Sequence, residues 1–193
     1  FDRILAVSVG TDGIRKGLYL FKQGADSSKK VQLLGCGAIL REVIAAANIL
    51  EQDYGVNADI WSATSFTELR RDGVDCARWN RLNPEQEPRI PWVTECLGDR
   101  PGPVIAASDY VRAFADQVRG FLPQQDYIVM GTDGYGRSDT RENLRSFFEV
   151  DRFNIAYSAL YALYRQGSVS MGELTEARSA LGIDPGKPNP VTV

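Results

Sequence analysis

The sequence predicts an α/β domain of three layers, with helices on both faces of an open, mostly parallel sheet. Two observations predict it. Short apolar runs of strand length, at residues 31–34, 56–61, 104–107 and 127–131, alternate with longer segments whose apolar residues recur at helical spacing. The chain also has 193 residues, 44% hydrophobic and 24% charged, which is the length and composition of one soluble domain with a full core.

Each element has its own signal. Val31-Gln32-Leu33-Leu34 is a short, largely apolar run that ends in Gly35-Cys36-Gly37, as a buried strand entering a tight turn does. Ile39, Leu40, Val43, Ile44, Ala47 and Leu50 then form one face of an amphipathic helix ending near Tyr54-Gly55. After the strand at 56–61 and a polar turn at 62–67, a charged helix is expected over 68–82, with Gly73 as its weak point. Three prolines between 83 and 91 force a loop, and Pro91 opens a short helix to Leu97. Following the strand at 104–107, Ser108-Asp109 is expected to cap a helix striped by Tyr110, Val111, Phe114, Val118 and Phe121. The strand at 127–131 leads through a glycine-rich loop to a short helix at 140–148. Asp151 caps a longer helix carrying Phe153, Ala156, Tyr157, Leu160 and Leu163, closed by Gly167. Ser170 and Glu173 fit a capping box for the last helix, with Leu174, Ala177 and Leu181 inward, and the tail from Asp184 is irregular.

Composition excludes several function classes. A net charge of −3 with Lys and Arg scattered among Asp and Glu leaves no footprint for nucleic acid. There is no histidine, so imidazole catalysis and cysteine–histidine metal sites are excluded. The three cysteines, Cys36, Cys76 and Cys96, are too few and too widely spaced for a disulfide framework or a zinc site. No apolar run approaches the ~20 residues that span a bilayer, so no membrane partner is expected. The first residues lack the features of a signal peptide, and a cytoplasmic setting is the expectation. The absence of an initiator methionine points to a fragment or a processed chain.

Three stretches carry possible chemistry. Gly35-Cys36-Gly37 lies where a strand turns into a helix, but the third glycine of a dinucleotide fingerprint is Leu40 here, so a sterically required turn is the preferred reading. In Thr64-Ser65-Phe66-Thr67, either Ser65 or Thr67 serves as a helix cap. The most unusual stretch, residues 131–141, packs three glycines, two aspartates and two arginines at a strand exit. One reading has Arg137 or Arg141 holding an anion with help from Ser138, which makes Asp133, Tyr135, Arg137, Ser138, Asp139 and Arg141 an anion-contact or interface loop. The other has Ser138 or Asp139 capping the next helix and the arginines paired to the aspartates. No serine sits in a Gly-x-Ser-x-Gly elbow, and no carboxylate pair has assignable acid and base roles.

In order along the chain come Gly13-Ile14-Arg15-Lys16-Gly17-Leu18-Tyr19, Val31-Gln32-Leu33-Leu34-Gly35, Thr64-Ser65-Phe66-Thr67-Glu68-Leu69, Arg71-Asp72-Gly73, Ser108-Asp109-Tyr110 and Gly131-Thr132-Asp133-Gly134-Tyr135-Gly136-Arg137-Ser138-Asp139. Together they resemble the C-terminal domain of the homodimeric bacterial type of pyruvate dehydrogenase component, with a more distant likeness to the third domain of transketolases. The resemblance divides the chain into a domain at 13–193 and a segment at 1–12 that does not match what precedes Gly13 in that family. It implies a transketolase C-terminal-like fold belonging to an enzyme that oxidatively decarboxylates pyruvate with thiamine diphosphate and Mg. That enzyme passes the acetyl group to a lipoyl-bearing acetyltransferase core.

The family's Gly-Asp-Gly and Asn pair for diphosphate and metal are absent, since Asp12, Asp72 and Asp133 follow Thr, Arg and Thr. No catalytic, cofactor-binding or metal residue is therefore assigned in this chain. Its implied partners are the remaining domains and the second subunit of a homodimer, and its implied roles are dimer assembly and walling of an active site. An independent anion-binding or protein-interaction module on the same fold is the alternative. Exposed contact surface is expected from Trp61, Phe66, Trp79, Trp92 and Tyr135.

Overall fold

The computed structural model describes residues 11–122 and 126–193; most of the segment at 1–12 thus lies outside the described residues. Five strands form one sheet: β1 (Leu18–Lys22), β2 (Lys30–Gly35), β3 (Asn57–Ala63), β4 (Val104–Ala107) and β5 (Tyr127–Met130), in the order β1-β3-β2-β4-β5. The pairs β2–β3, β2–β4 and β4–β5 are parallel, whereas β1 runs antiparallel along the outer side of β3, pairing Leu18 with Ala63 and Leu20 with Trp61. β1 was not foreseen. Its run Leu-Tyr-Leu-Phe has no polar alternation, and its partner lies some forty positions on.

The helices are α1 (Thr11–Lys16), α2 (Leu40–Tyr54), α3 (Phe66–Leu82), α4 (Trp92–Leu97), α5 (Arg112–Asp116), α6 (Arg141–Phe147), α7 (Arg152–Arg165) and α8 (Met171–Ala180). Strand alternation sorts them into two outer layers. On β2 and β4, Val31, Leu33, Ile105 and Ala107 join Val43 and Leu50 of α2, Ile155 and Leu160 of α7 and Leu174 of α8 in one apolar cluster. Leu34, Val104 and Ala106 point the other way, toward Leu69 of α3, Val93 and Leu97 of α4 and Ala115 of α5. The predicted αβα sandwich is thus the observed one.

Caps follow the sequence closely. Ser65 accepts the Glu68 N–H, Asp151 accepts those of Phe153 and Asn154, and Ser170 with Glu173 forms the full capping box. α3 starts two residues earlier than expected and runs unbroken through Gly73, where a Cβ would come within 2.5 Å of the Phe121 ring. That glycine is a packing notch.

The helix after β4 is a correction. An apolar stripe from Tyr110 to Phe121 was expected, but α5 has five residues, followed by a 3-10 turn at Arg119–Phe121. Its start is displaced because the chain after β5 captures the local backbone. The Tyr110 carbonyl accepts the Thr132 N–H at 2.9 Å, and the Arg112 N–H donates to Asp133 Oδ1 at 2.9 Å. Tyr110, Val111 and Phe114 consequently face solvent, while Ala115 and Val118 are buried.

A second correction concerns exposed aromatics. Trp61 and Phe66 are core residues, because Trp61 packs in the layer with α3 and donates its indole N–H to the buried Gln32 amide at 2.9 Å. Trp79 and Trp92 are half-buried, each beneath a cation, and Tyr135 is 85% exposed.

Candidate functional site

At the carboxyl end of the sheet, neighbouring strands send their helices to opposite faces. From β2 the chain enters α2 on one side, and from β4 it enters α5 on the other. Adjacent strands that diverge in this way leave a crevice between their ends, the place where open α/β sheets take ligands.

The turn after β2 is built for close approach. A Cβ on Gly35 would lie 2.7 Å from the Leu40 Cα, and Gly37 has φ +56° at the start of a 3-10 turn over Gly37–Ile39. Both glycines are steric requirements, as the preferred sequence reading holds. The Cys36 thiol beside this turn is buried, and burial followed by the Asp109 charge raises its pKa, which makes it a poor nucleophile.

A cavity of about 450 Å³ opens over this end of the sheet. Ala38 and Ile39 line it from the β2 turn, Asp109 from the end of β4, and Thr132, Gly136 and Arg137 from the loop after β5. α6 contributes Arg141, Leu144 and Arg145, and Phe148 and Val150 complete the floor.

Of the six loop residues singled out from sequence, two line this cavity and four do not. The Arg137 guanidinium lies 4.3 Å from the centroid of the Phe147 ring, and Arg141 stands at the cavity edge. Asp133 holds the start of α5, through the Arg112 backbone N–H and an ion pair to its guanidinium at 3.5 Å. Asp139 accepts from Asn143 Nδ2 at 2.8 Å and from the Thr140 N–H at 2.7 Å, and these bonds lower its pKa. Tyr135 and Ser138 face solvent. The cap of α6 is Thr140, whose hydroxyl accepts the Asn143 N–H, rather than Ser138 or Asp139. The aspartates pair with Arg112, Thr140 and Asn143 instead of with Arg137 or Arg141.

Two contributions escaped the sequence reading. Arg145, on α6, lines the cavity and donates to Glu42 of α2 at 2.8 Å. Glu42 is buried and also accepts from Arg152 Nε at 2.9 Å, so one carboxylate ties α2, α6 and α7 together. Burial pushes its pKa up, but the hydrogen bonds and charge of Arg152, with Arg145 behind, outweigh that and hold it below the ordinary value. Nothing local marks Glu42, since its partners are more than a hundred residues away.

The tail closes on the same region. Lys187 Nζ donates to the Ser146 and Phe147 carbonyls at 2.6 and 2.8 Å, capping the C-terminus of α6, and the Pro190 carbonyl packs against Gly134 of the loop.

The pattern described for the transketolase-like TK C-terminal domain matches residues 17–151, most of the chain. The chain belongs to this family. It is 51% identical to the pyruvate dehydrogenase E1 component of Pseudomonas aeruginosa, 52% to that of Cupriavidus necator and 49% to that of Escherichia coli K12. Each match covers 93% of this chain and 20% of the relative, so the domain spans about a fifth of the proteins it matches.

Solved structures with the same fold include a split-gene transketolase described as an inactive beta4 tetramer. It has a TM-score of 0.52 at 17% identity and covers 77% of this chain and 43% of that one. Transketolase from Leishmania mexicana gives 0.51 at 15% identity, over 80% of this chain and 19% of that one. The family's fold is therefore the one built here, a mostly parallel five-stranded sheet between helices.

Proposed function

We propose that this chain acts as the C-terminal domain of a pyruvate dehydrogenase E1 component, the subunit that oxidatively decarboxylates pyruvate and acetylates a lipoyl arm on an acetyltransferase core. The observation that carries this reading is identity of about one residue in two to E1 components over 93% of the chain. In this reading the parent is a cytoplasmic homodimer that uses thiamine diphosphate and Mg.

The residues described here do not fit that cofactor. Among them no group of three or more His, Cys, Asp or Glu side chains is arranged to hold a metal ion, and the cavity presents arginines with Asp109 as its one carboxylate. In the proposed reading the domain carries no step of the reaction and is inert on its own. It supplies surface instead. Tyr110, Val111, Phe114 and Tyr135 are exposed on the segments that follow β4 and β5 and form the face to be covered by the other domains and the second subunit.

A chimera tests the proposal. In the P. aeruginosa E1 component, the matching segment is replaced by this chain, and thiamine-dependent decarboxylation of pyruvate is measured. Retained activity in a dimeric chimera is the expected result, and a folded dimer without decarboxylation refutes the parentage. Calorimetric titration of the chain alone with thiamine diphosphate and Mg should give no heat of binding; saturable binding overturns its inertness.

A further inference from the structure

We propose that the cavity between the turn after β2, α6 and the loop after β5 binds a small organic anion, with a phosphate or carboxylate head held by Arg137 and Arg141 and an apolar body on the floor beneath. Neither the proposed parentage nor any match requires such a site.

Charge is the first argument. Three guanidiniums and one carboxylate, Asp109, line the cavity. Arg145 pairs with Glu42, a carboxylate it shares with Arg152, whereas Arg137 and Arg141 have no carboxylate within 4 Å among the described residues. The loop's own acids are spoken for, Asp133 by Arg112 and Asp139 by Asn143 and Thr140. The arginines that line the cavity therefore outnumber its carboxylate, and the excess positive charge is left to be matched by a ligand.

Preorganisation is the second. Contact with the face of the Phe147 ring restrains the Arg137 guanidinium, which reduces the entropy lost when it binds a carboxylate or a phosphate. Lys187 approaches the same ring and anchors the C-terminus of α6, so the platform is fixed from below.

The floor is the third. Ile39, Leu144, Phe148 and Val150 give the cavity an apolar base, and about 450 Å³ lies within the range of small-molecule sites. Bare inorganic phosphate leaves that base wet, and a neutral apolar molecule leaves the arginines unmatched. An anion carrying an apolar body satisfies both. The location agrees, because this is the switch point between β2 and β4.

The test is a ¹⁵N-correlation NMR titration of the full chain with phenyl phosphate, benzoate, inorganic phosphate and phenol. Phenyl phosphate or benzoate should bind saturably, about tenfold or more tighter than inorganic phosphate or phenol, with shifts at Ile39, Leu144 and Phe148. The tighter of the two names the head group. Arg137→Gln and Arg141→Gln should each weaken binding about tenfold with an unchanged circular dichroism spectrum. Because both side chains are exposed, neither change removes a core contact. Binding that is indifferent to both substitutions, or equally strong for inorganic phosphate and phenyl phosphate, overturns the proposal. The chimera assay reads decarboxylation and is independent of this outcome.

Discussion

Replacing Glu42 by glutamine removes one charge from the middle of a three-helix junction and keeps the volume. The carboxylate accepts N–H groups from Arg145 Nη1, the Arg152 backbone, Arg152 Nε and Arg152 Nη2, at 2.8 to 3.2 Å. Removing one partner of a buried ion pair costs ~3–5 kcal/mol. Here the Arg152 side chain is 45% exposed and Arg145 21%, so water takes over part of the lost interaction. The expected loss is then about 2–3 kcal/mol. For a domain of this size that lowers Tm by roughly 4–12 °C, at ~2–4 °C per kcal/mol.

The pH dependence has a definite sign. The folded pKa of Glu42 is depressed, so its contribution is present above the ordinary glutamate value and lost as pH falls through the depressed one. The gap between wild type and Glu42→Gln should therefore be constant from neutral pH down to about pH 5 and should close below about pH 4. Urea unfolding followed by circular dichroism at several pH values measures both. A gap under about 0.5 kcal/mol at pH 7, the scale of an ordinary surface substitution, or a gap that widens in acid refutes the junction.

Other expectations follow from single contacts. Gly35→Ala drives a Cβ to 2.7 Å from the Leu40 Cα and should cost about 1–3 kcal/mol in the same urea assay; no loss would mean that the turn can relax. The Glu173 carboxylate, which accepts the Ser170 N–H in the capping box with Lys29 beside it, should titrate at about 2 by NMR, and a midpoint in the usual range would dissolve the box. Burial pushes the Cys96 thiol up to about 12 and raises Cys36 and Cys76, so Ellman's reagent at pH 8 should label the native chain slowly and the urea-unfolded chain fast. Immediate labelling of all three thiols in the native state contradicts that burial.

Periodicity and caps made most of this fold legible. α2, α7 and α8 announce themselves through apolar spacing and through Asp151, Ser170 and Glu173, because a helix is stabilised by neighbours three or four positions away. β1 goes unmarked and α5 reads too long for the opposite reason. β1 exists by pairing with β3, and α5 is shortened by Thr132 and Asp133, which take hydrogen bonds that a longer helix would have needed. The site divides in the same way. Arg137 and Arg141 stood out by composition, but Asp109, Arg145 and the apolar floor converge only when β2, β4 and β5 lie side by side.

The contacts of Lys187 and Pro190 give the last residues a leverage out of proportion to their irregular structure. Through Lys187 they brace the helix end that carries the Phe147 platform, and through Pro190 they lean on the loop that carries Arg137. A fusion partner attached after Val193, or a protease that trims the chain at Asp184, thus acts on the arginine rim from outside it. Affinity tags for the binding measurements belong at the other end of the molecule, and limited proteolysis of the tail offers a graded way to loosen the cavity without touching any residue that lines it.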